Sequence, residues 1–136
     1  MIRISADVSK EFSELLGNTG FESGGLIGSF DNDLIDTFFF DEGLEPSVKE
    51  YNPNVELLQR QISVWDKDLV RFRGIIHSHI DDQHLSAKDL SMARNILKLN
   101  SFQSILMPVF VIRSKKLVWY DVGMDYVKRE EYEVIS

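Results

Sequence analysis

The sequence contains no cysteine. Disulfide bonds and a cysteine nucleophile are therefore excluded, and any bound metal ion must be held by nitrogen and oxygen ligands. No apolar run approaches the roughly 20 residues that are needed to cross a bilayer, and the first residues lack the layout of a signal peptide. We therefore expect a cytoplasmic protein with no membrane partner.

Basic residues are in the minority, with 15 Lys and Arg against 22 Asp and Glu, which gives a formal net charge of −7. A surface of this sign repels phosphate backbones, so we expect no nucleic-acid partner. The remaining composition is that of an ordinary globular protein, with 43% hydrophobic and 27% charged residues. The 136 residues suffice for one compact domain, residues 1–136, with a buried core.

Alternating and continuous apolar stretches predict several strands. They cover residues 2–4, 20–30, 34–40, 69–76, 105–112, 117–122 and 126–135. Residues 41–53 are polar and include two prolines, so we predict a long loop there. Strands and helices mix without strict alternation, which predicts an α/β (mixed α+β) fold with a mixed central sheet flanked by helices.

Apolar residues at helical spacing predict three helices. The first ends at Gly17, the second begins with Asn52 as the cap and Pro53 in the first position, and the third opens at Ser86. Their predicted apolar faces comprise Val8, Phe12, Leu15 and Leu16 in the first, Val55, Leu58, Ile62 and Trp65 in the second, and Leu90, Ala93 and Leu97 in the third.

Two of the three histidines stand in the pair His77-Ser78-His79, at the end of a predicted strand. The two-residue period of a strand points both imidazoles to one face. Asp89, near the start of the next helix, can add a carboxylate oxygen. Two nitrogens and one oxygen leave the fourth position of a tetrahedral zinc ion open, as in catalytic sites.

Each piece of this pattern also has a simpler interpretation. A His-x-His pair is common in strands that bind nothing, and Ser86-x-x-Asp89 resembles a helix-capping box. The third histidine, His84, lies in the loop between the pair and the helix, and we interpret it as a solvated residue. The combination of the pieces favours the metal site.

Glu22 lies in an apolar, glycine-rich stretch, Phe21-Glu22-Ser23-Gly24-Gly25. A carboxylate is seldom buried without a partner, and a metal-bound water would be such a partner. Without the histidine pair we would interpret Glu22 as a surface residue at a strand end. With the pair, it is the candidate general base.

In order and layout these residues resemble the JAMM metalloprotease family, also called the JAB or MPN domain. The family pattern is a Glu near a glycine-rich strand, then His-Ser/Thr-His, a loop, and Ser-x-x-Asp. The resemblance covers nearly the whole chain and implies a fold like that of the cytidine deaminases. It also implies that His77, His79 and Asp89 bind one zinc ion, that Glu22 transfers protons, and that the Ser86 hydroxyl stabilises the oxyanion.

Family members hydrolyse amide or isopeptide bonds after the C-terminal glycine of ubiquitin or a ubiquitin-like protein. The resemblance therefore implies a ubiquitin-like or sulfur-carrier protein as substrate, as for the small bacterial JAB proteins. Two features depart from the family pattern. Ile80 stands where the family usually has proline, and the six-residue loop before Ser86 is one residue shorter than is common. The shorter loop is expected to affect the oxyanion geometry of Ser86 more than the metal ligands.

Three alternatives belong to other classes. A catalytically weak or inactive MPN-type scaffold would bind partner proteins only, although scaffolds of this kind have usually lost the ligands. A DNA-repair-associated relative shares the metal motif, but the charge of −7 disfavours it. Cytidine deaminases hold their zinc with cysteines, which this chain lacks.

Overall fold

The computed structural model describes residues 1–30 and 33–136. Its strands are β1 (Ile2–Ser5), β2 (Gly24–Ser29), β3 (Thr37–Asp41), β4 (Arg71–His79), β5 (Ser104–Leu106), β6 (Val109–Val111), β7 (Lys116–Gly123), β8 (Val127–Glu130) and β9 (Tyr132–Ile135). Its helices are α1 (Ala6–Glu11), which continues as a wider π-type segment (Phe12–Leu16), α2 (Val55–Lys67) and α3 (Ala87–Asn100). Among the residues described, no helix is long and apolar enough to span a membrane.

The central sheet is mixed, as predicted. Strand β2 lies between β3 and β4 and is antiparallel to both. Strand β4 is parallel to β5 and β6, which both pair antiparallel with β7, and β8 pairs with the outer side of β7. Strands β1 and β9 form a separate parallel pair. The end of β4 therefore lies inside the sheet, between β2 and β6.

The predicted strand 105–112 is interrupted, which corrects its bounds. It consists of β5 and β6, separated at Met107 and Pro108. Proline has no N–H to donate to a sheet, and here its carbonyl accepts a bond of 3.2 Å from the backbone N–H of His77. The interruption lets β5 pair with β4 at Gly74 while β6 pairs with it at His77.

Helices cover both faces of the sheet. One cluster of buried side chains lies beneath α2 and α3, and a second lies beneath α1 and its π-type extension. The first includes Leu26, Leu58, Trp65, Ala93, Leu97 and Val118, and the second includes Ile4, Val8, Phe12, Leu16, Ile76 and Trp119. The sheet with helices on both sides confirms the predicted fold class.

The start of the second helix was predicted wrongly. The cap is Asn54, whose side-chain oxygen accepts a bond of 3.2 Å from the N–H of Leu57. The backbone carbonyl of Asn52 instead accepts from the N–H of Leu44, so Asn52 belongs to the preceding loop. Val55, predicted to be in the core, is the first residue of α2 and is 66% exposed.

The predicted core face of the first helix is also partly wrong. Val8, Phe12 and Leu16 are buried, but Leu15 is 38% exposed. The π-type segment has more residues per turn than an α-helix. It therefore places Leu16, rather than Leu15, on the same side as Phe12.

The two neighbouring leucines provide a direct test of this face. Leu16→Ala should lower the free energy of unfolding by about 2–5 kcal/mol, because it opens a cavity in the core. Leu15→Ala removes the same atoms from a partly solvated position and should cost less than about 1 kcal/mol. Urea denaturation of both variants measures the difference. Equal losses would contradict the burial described here.

Candidate metal centre

The two histidines lie at the end of β4, where neighbouring strands fix them on both sides. In the strand register His77 lies opposite Gly24 on β2 and opposite Val109 on β6. His77 is 1% exposed, and its ring centroid lies 4.7 Å from that of His79. The strand period thus places both imidazoles on one face, buried at the edge of a cleft.

Asp89 reaches this pair from the first turn of α3. Ser86 is the cap of that helix, and its hydroxyl oxygen accepts from the N–H of Asp89 at 3.1 Å. The Asp89 carboxylate completes a capping box, because its Oδ2 accepts from the N–H of Ser86 at 2.8 Å. The same Oδ2 lies 3.0 Å from His77 Nε2 and 3.4 Å from His79 Nε2. The Asp89 side chain therefore takes part in the cap of α3 and also contacts both histidines.

The chemistry of this cluster fits a bound metal ion. Two imidazole nitrogens and one carboxylate oxygen lie within 4.8 Å of one another. Although Asp89 is close, neither ring nitrogen of His77 has a hydrogen-bond partner of suitable geometry in the described part of the chain. A buried polar group without a partner is costly, and coordination would satisfy it. His77, His79 and Asp89 could thus hold a metal.

A backbone carbonyl orients the second histidine. His79 Nδ1 lies 2.9 Å from the carbonyl oxygen of Asp82. Because a carbonyl can only accept, Nδ1 is assigned the proton, which leaves the lone pair of Nε2 facing the cluster. No motif in the sequence marks this contact. His84, the third histidine, is exposed, pairs with the Asp82 side chain at 2.9 Å and lies outside the cluster.

The charges in the cluster shift the pKa values of its members in opposite directions. Burial raises the pKa of Asp89, but the two imidazoles and the N–H of Ser86 outweigh it and hold that pKa well below its usual range. Burial lowers the pKa of His79, and the Asp89 carboxylate outweighs this and raises it above its usual value. The Asp89 carboxylate and the His79 imidazole therefore each stabilise the charged form of the other.

Glu22 faces the same cleft from the segment before β2. Its side chain is buried, and its Oε2 accepts a bond of 3.1 Å from the backbone N–H of Ile80. Its own N–H donates to the carbonyl of Ser47 at 2.8 Å. Burial raises the pKa of Glu22, partly offset by the Ile80 N–H and the nearby histidines. A raised pKa makes this carboxylate a better proton acceptor than an exposed one.

The cleft between these groups has a volume of about 330 Å³. It is lined by Glu22, Lys49, Glu50, Tyr51, His77, His79, Asp82, Ser86, Lys88 and Asp89. Five of these residues, Glu22, His77, His79, Ser86 and Asp89, were predicted from the sequence as site residues. Tyr51 and Lys88 were missed, because neither carries a motif that marks it as part of a site.

No protein-family model and no curated protein sequence matches the chain. Solved structures do match it. The solution structure of protein DSY2949 from Desulfitobacterium hafniense aligns with a TM-score of 0.77 at 18% identity, over 99% of this chain and 93% of that one.

Two further solved structures concern JAB1/MPN and JAMM proteins. AF2198, a JAB1/MPN domain protein from Archaeoglobus fulgidus, aligns with a TM-score of 0.57 at 15% identity, over 100% of this chain and 98% of that one. A structure described as a JAMM metalloprotease-like zinc site in the proteasome and signalosome aligns with a TM-score of 0.56 at 16% identity, over 100% and 99% of the two chains. The chain has the JAB1/MPN fold.

At these identities the likeness concerns the JAB1/MPN fold alone. The evidence for a metal site comes from this chain, in which β4 and α3 bring His77, His79 and Asp89 together. Glu22 is a separate observation, because it reaches the cleft from the segment before β2, the strand that pairs with β4. The JAB1/MPN fold thus carries, in this chain, a three-ligand cluster and a buried carboxylate in one cleft.

The cluster predicts one bound divalent metal ion per chain. His77→Ala should abolish tight binding, because it removes one of three ligands. His84→Ala, which changes the same residue type outside the cluster, should keep full occupancy. Elemental analysis after purification and dialysis measures both. Full metal content in the His77 variant would show that the metal is held elsewhere.

Metal binding should also weaken as the pH falls. A proton competes with the metal for His79, and the raised pKa of His79 extends this competition above the usual histidine value of 6.5. At pH values above the raised pKa, the imidazole is neutral and binding is strongest. Competition with a chelator at several pH values measures the affinity. An affinity that stays constant from acidic to neutral pH would contradict a histidine-based site.

Proposed function

We propose that the chain is a zinc-dependent peptidase or isopeptidase that uses metal-activated water. The proposed bond is the amide after the C-terminal glycine of a ubiquitin-like or sulfur-carrier protein. The observation that carries this proposal is the presence of two different acidic groups in one cleft. Asp89 lies within the histidine cluster, whereas Glu22 lies outside it with a raised pKa. One suits a ligand and the other suits a base.

In this proposal His77, His79 and Asp89 would hold the zinc ion. When bound, the ion would supply an activated water, with a pKa of about 7, and a Lewis acid for the substrate carbonyl. Glu22 accepts the proton of that water through its buried carboxylate. It then donates the proton to the leaving amine, so that one residue acts first as base and then as acid.

Ser86 is suited to stabilise the oxyanion that develops on the substrate carbonyl. Its oxygen already accepts from the N–H of Asp89, but a hydroxyl keeps one hydrogen to donate. Because Ser86 lines the cleft, that hydrogen is available to a bound substrate. A donor of this kind is typically worth about 10²–10³ in rate. The capping role and the catalytic role therefore use different parts of the same group.

The loop between β3 and α2, residues 42–54, supports an extended tail as substrate. We call it the cleft loop. Its Ser47 already pairs with Glu22 as an isolated antiparallel bridge. The neighbouring Val48 is 62% exposed and has no backbone hydrogen bond to another backbone group in the described residues. An extended peptide could add there as a strand, with main-chain bonds supplying affinity.

Glu22→Gln separates an enzyme from a scaffold. The amide keeps the size of the side chain but cannot accept a proton. We expect the variant to fold, to keep its zinc, and to lose at least about 10²–10⁴ in kcat/KM, the range typical of one general acid–base group. Incubation with fusions that carry a tag after a ubiquitin-like C-terminal glycine, read by mass spectrometry, measures cleavage.

Glu131→Gln is the matched control, because it makes the same change at an exposed position between β8 and β9, away from the cleft. It should cleave like the wild type. Wild-type cleavage by the Glu22 variant would remove Glu22 from the mechanism, whereas loss of zinc would make it a ligand. If the wild type binds zinc but cleaves none of the fusions, the scaffold interpretation gains support.

A further inference from the structure

A buried carboxylate that does not line the cleft immediately precedes the cleft loop. Asp41, the last residue of β3, is 4% exposed and accepts three hydrogen bonds. Its Oδ2 accepts from the Tyr51 hydroxyl at 2.6 Å and from the N–H of Asn54 at 2.9 Å, and its Oδ1 accepts from the N–H of Gly43 at 3.0 Å. One side chain therefore binds the beginning and the end of the loop. Burial of a carboxylate requires compensation of this kind.

Tyr51 connects Asp41 to the cleft, because its hydroxyl bonds Asp41 and its side chain lines the cleft. Its ring is buried against the backbone of β2, since a Cβ added to Gly24 would lie 2.6 Å from the ring. Gly24 is the residue opposite His77 in the strand register, and Tyr51 also lines the cleft. Burial, reinforced by the Asp41 carboxylate, raises the pKa of Tyr51, so its hydroxyl remains a donor. Any residue with a Cβ at position 24 would clash with this ring.

From this anchor the cleft loop contacts both sides of the site. The carbonyl of Ser47 accepts from the N–H of Glu22 at 2.8 Å. Glu50 and Asn52 accept from the ammonium of Lys88, at 2.8 and 2.9 Å, one residue before Asp89. The loop thus bridges the candidate base and the helix that carries the candidate ligand.

We propose that Asp41, acting through Tyr51, is a positioning residue that holds the cleft loop as the substrate-facing wall of the site and keeps the backbone of Glu22 in place. Its effect on catalysis rests on the proposed peptidase function. Its effect on the loop and on Glu22 does not, because those contacts exist without substrate. Asp41 itself touches neither the cluster nor the cleft. It acts only through the residues that it binds.

Amide hydrogen exchange in the zinc-loaded full chain tests the positioning without any substrate. The variants are Asp41→Asn and Tyr51→Phe, each of which removes hydrogen bonds and keeps the shape of the side chain. The amides of Glu22 and Leu44 report the loop, since they donate to Ser47 and Asn52 and not to Asp41. We expect both to exchange about 10–100-fold faster, as for loss of a charged hydrogen bond. The amides of Leu26 and Ile75, within the paired strands, should not change.

Matched controls make the same chemical changes elsewhere. Tyr132→Phe alters a partly exposed tyrosine on β9, and Asp125→Asn alters an exposed aspartate beyond β7. Both should leave all four amides as in the wild type. If the Asp41 and Tyr51 variants accelerate exchange equally across the strands, or not at all at Glu22, Asp41 contributes to general stability only and the proposal is overturned.

Kinetics on the cleavable fusion provide the second readout. With the wall loosened and the backbone of Glu22 less firmly held, KM should rise about 10-fold and kcat should fall as well, because substrate binding and proton transfer are both affected. Zinc content should stay at the wild-type level. A lower kcat at unchanged KM would indicate a smaller folded fraction and would contradict positioning. If the wild type cleaves no fusion, the peptidase proposal fails, and the exchange experiment still decides the role of Asp41.

Discussion

The site depends on one carboxylate that performs two tasks. Asp89 Oδ2 accepts from the N–H of Ser86 and thereby fixes the first turn of α3, and the same oxygen lies within 3.4 Å of both histidine rings. The cap sets the direction of the carboxylate before any metal is present. Since His77 is almost fully buried, its ring nitrogens require a partner such as this or a metal ion. The start of α3 and the end of β4 are therefore coupled through a single atom, Asp89 Oδ2.

The surroundings of Asp89 and Glu22 shift the pKa values of these two carboxylates in opposite directions. Asp89 lies beside two imidazoles and accepts from the N–H of Ser86, so its pKa lies below the usual range despite burial. Glu22 is buried with a single backbone donor, so its pKa lies above. A separation of this kind is how neighbouring acids come to serve different roles. It gives physical content to the proposal that one binds the metal while the other moves protons.

Ile80 illustrates how a departure from the family pattern can be accommodated by the structure. Its N–H holds Glu22 Oε2 at 3.1 Å, a bond that proline at this position could not make. The short loop that follows is also held by its own contacts. The Asp82 carbonyl orients His79, and the Tyr120 hydroxyl donates to the Gln83 carbonyl at 2.7 Å. In this chain the two departures coincide with backbone groups that order the site.

Residue types and short periods were sufficient to predict much of the fold. Apolar spacing predicted the mixed sheet, the helices and most of their faces. It failed at Leu15, where a local change of helix type altered the face, and at Asn52, where Asn54 competed successfully for the cap. It also missed the interruption at Pro108, because the length of a strand depends on which neighbour it pairs with.

For the site, the sequence by itself determined the available chemistry. The absence of cysteine restricted the ligands to nitrogen and oxygen, and the strand period placed His77 and His79 on one face. Only the tertiary structure decided which backbone groups orient those side chains, and that Asp41 and Tyr51 anchor the wall beside them. Every residue carries the same carbonyl, and nearly every one the same N–H, so sequence cannot distinguish the carbonyl of Asp82 or the N–H of Ile80 from any other. Their roles arise from long-range packing, which brings Ile80 to Glu22 across 58 positions of the chain.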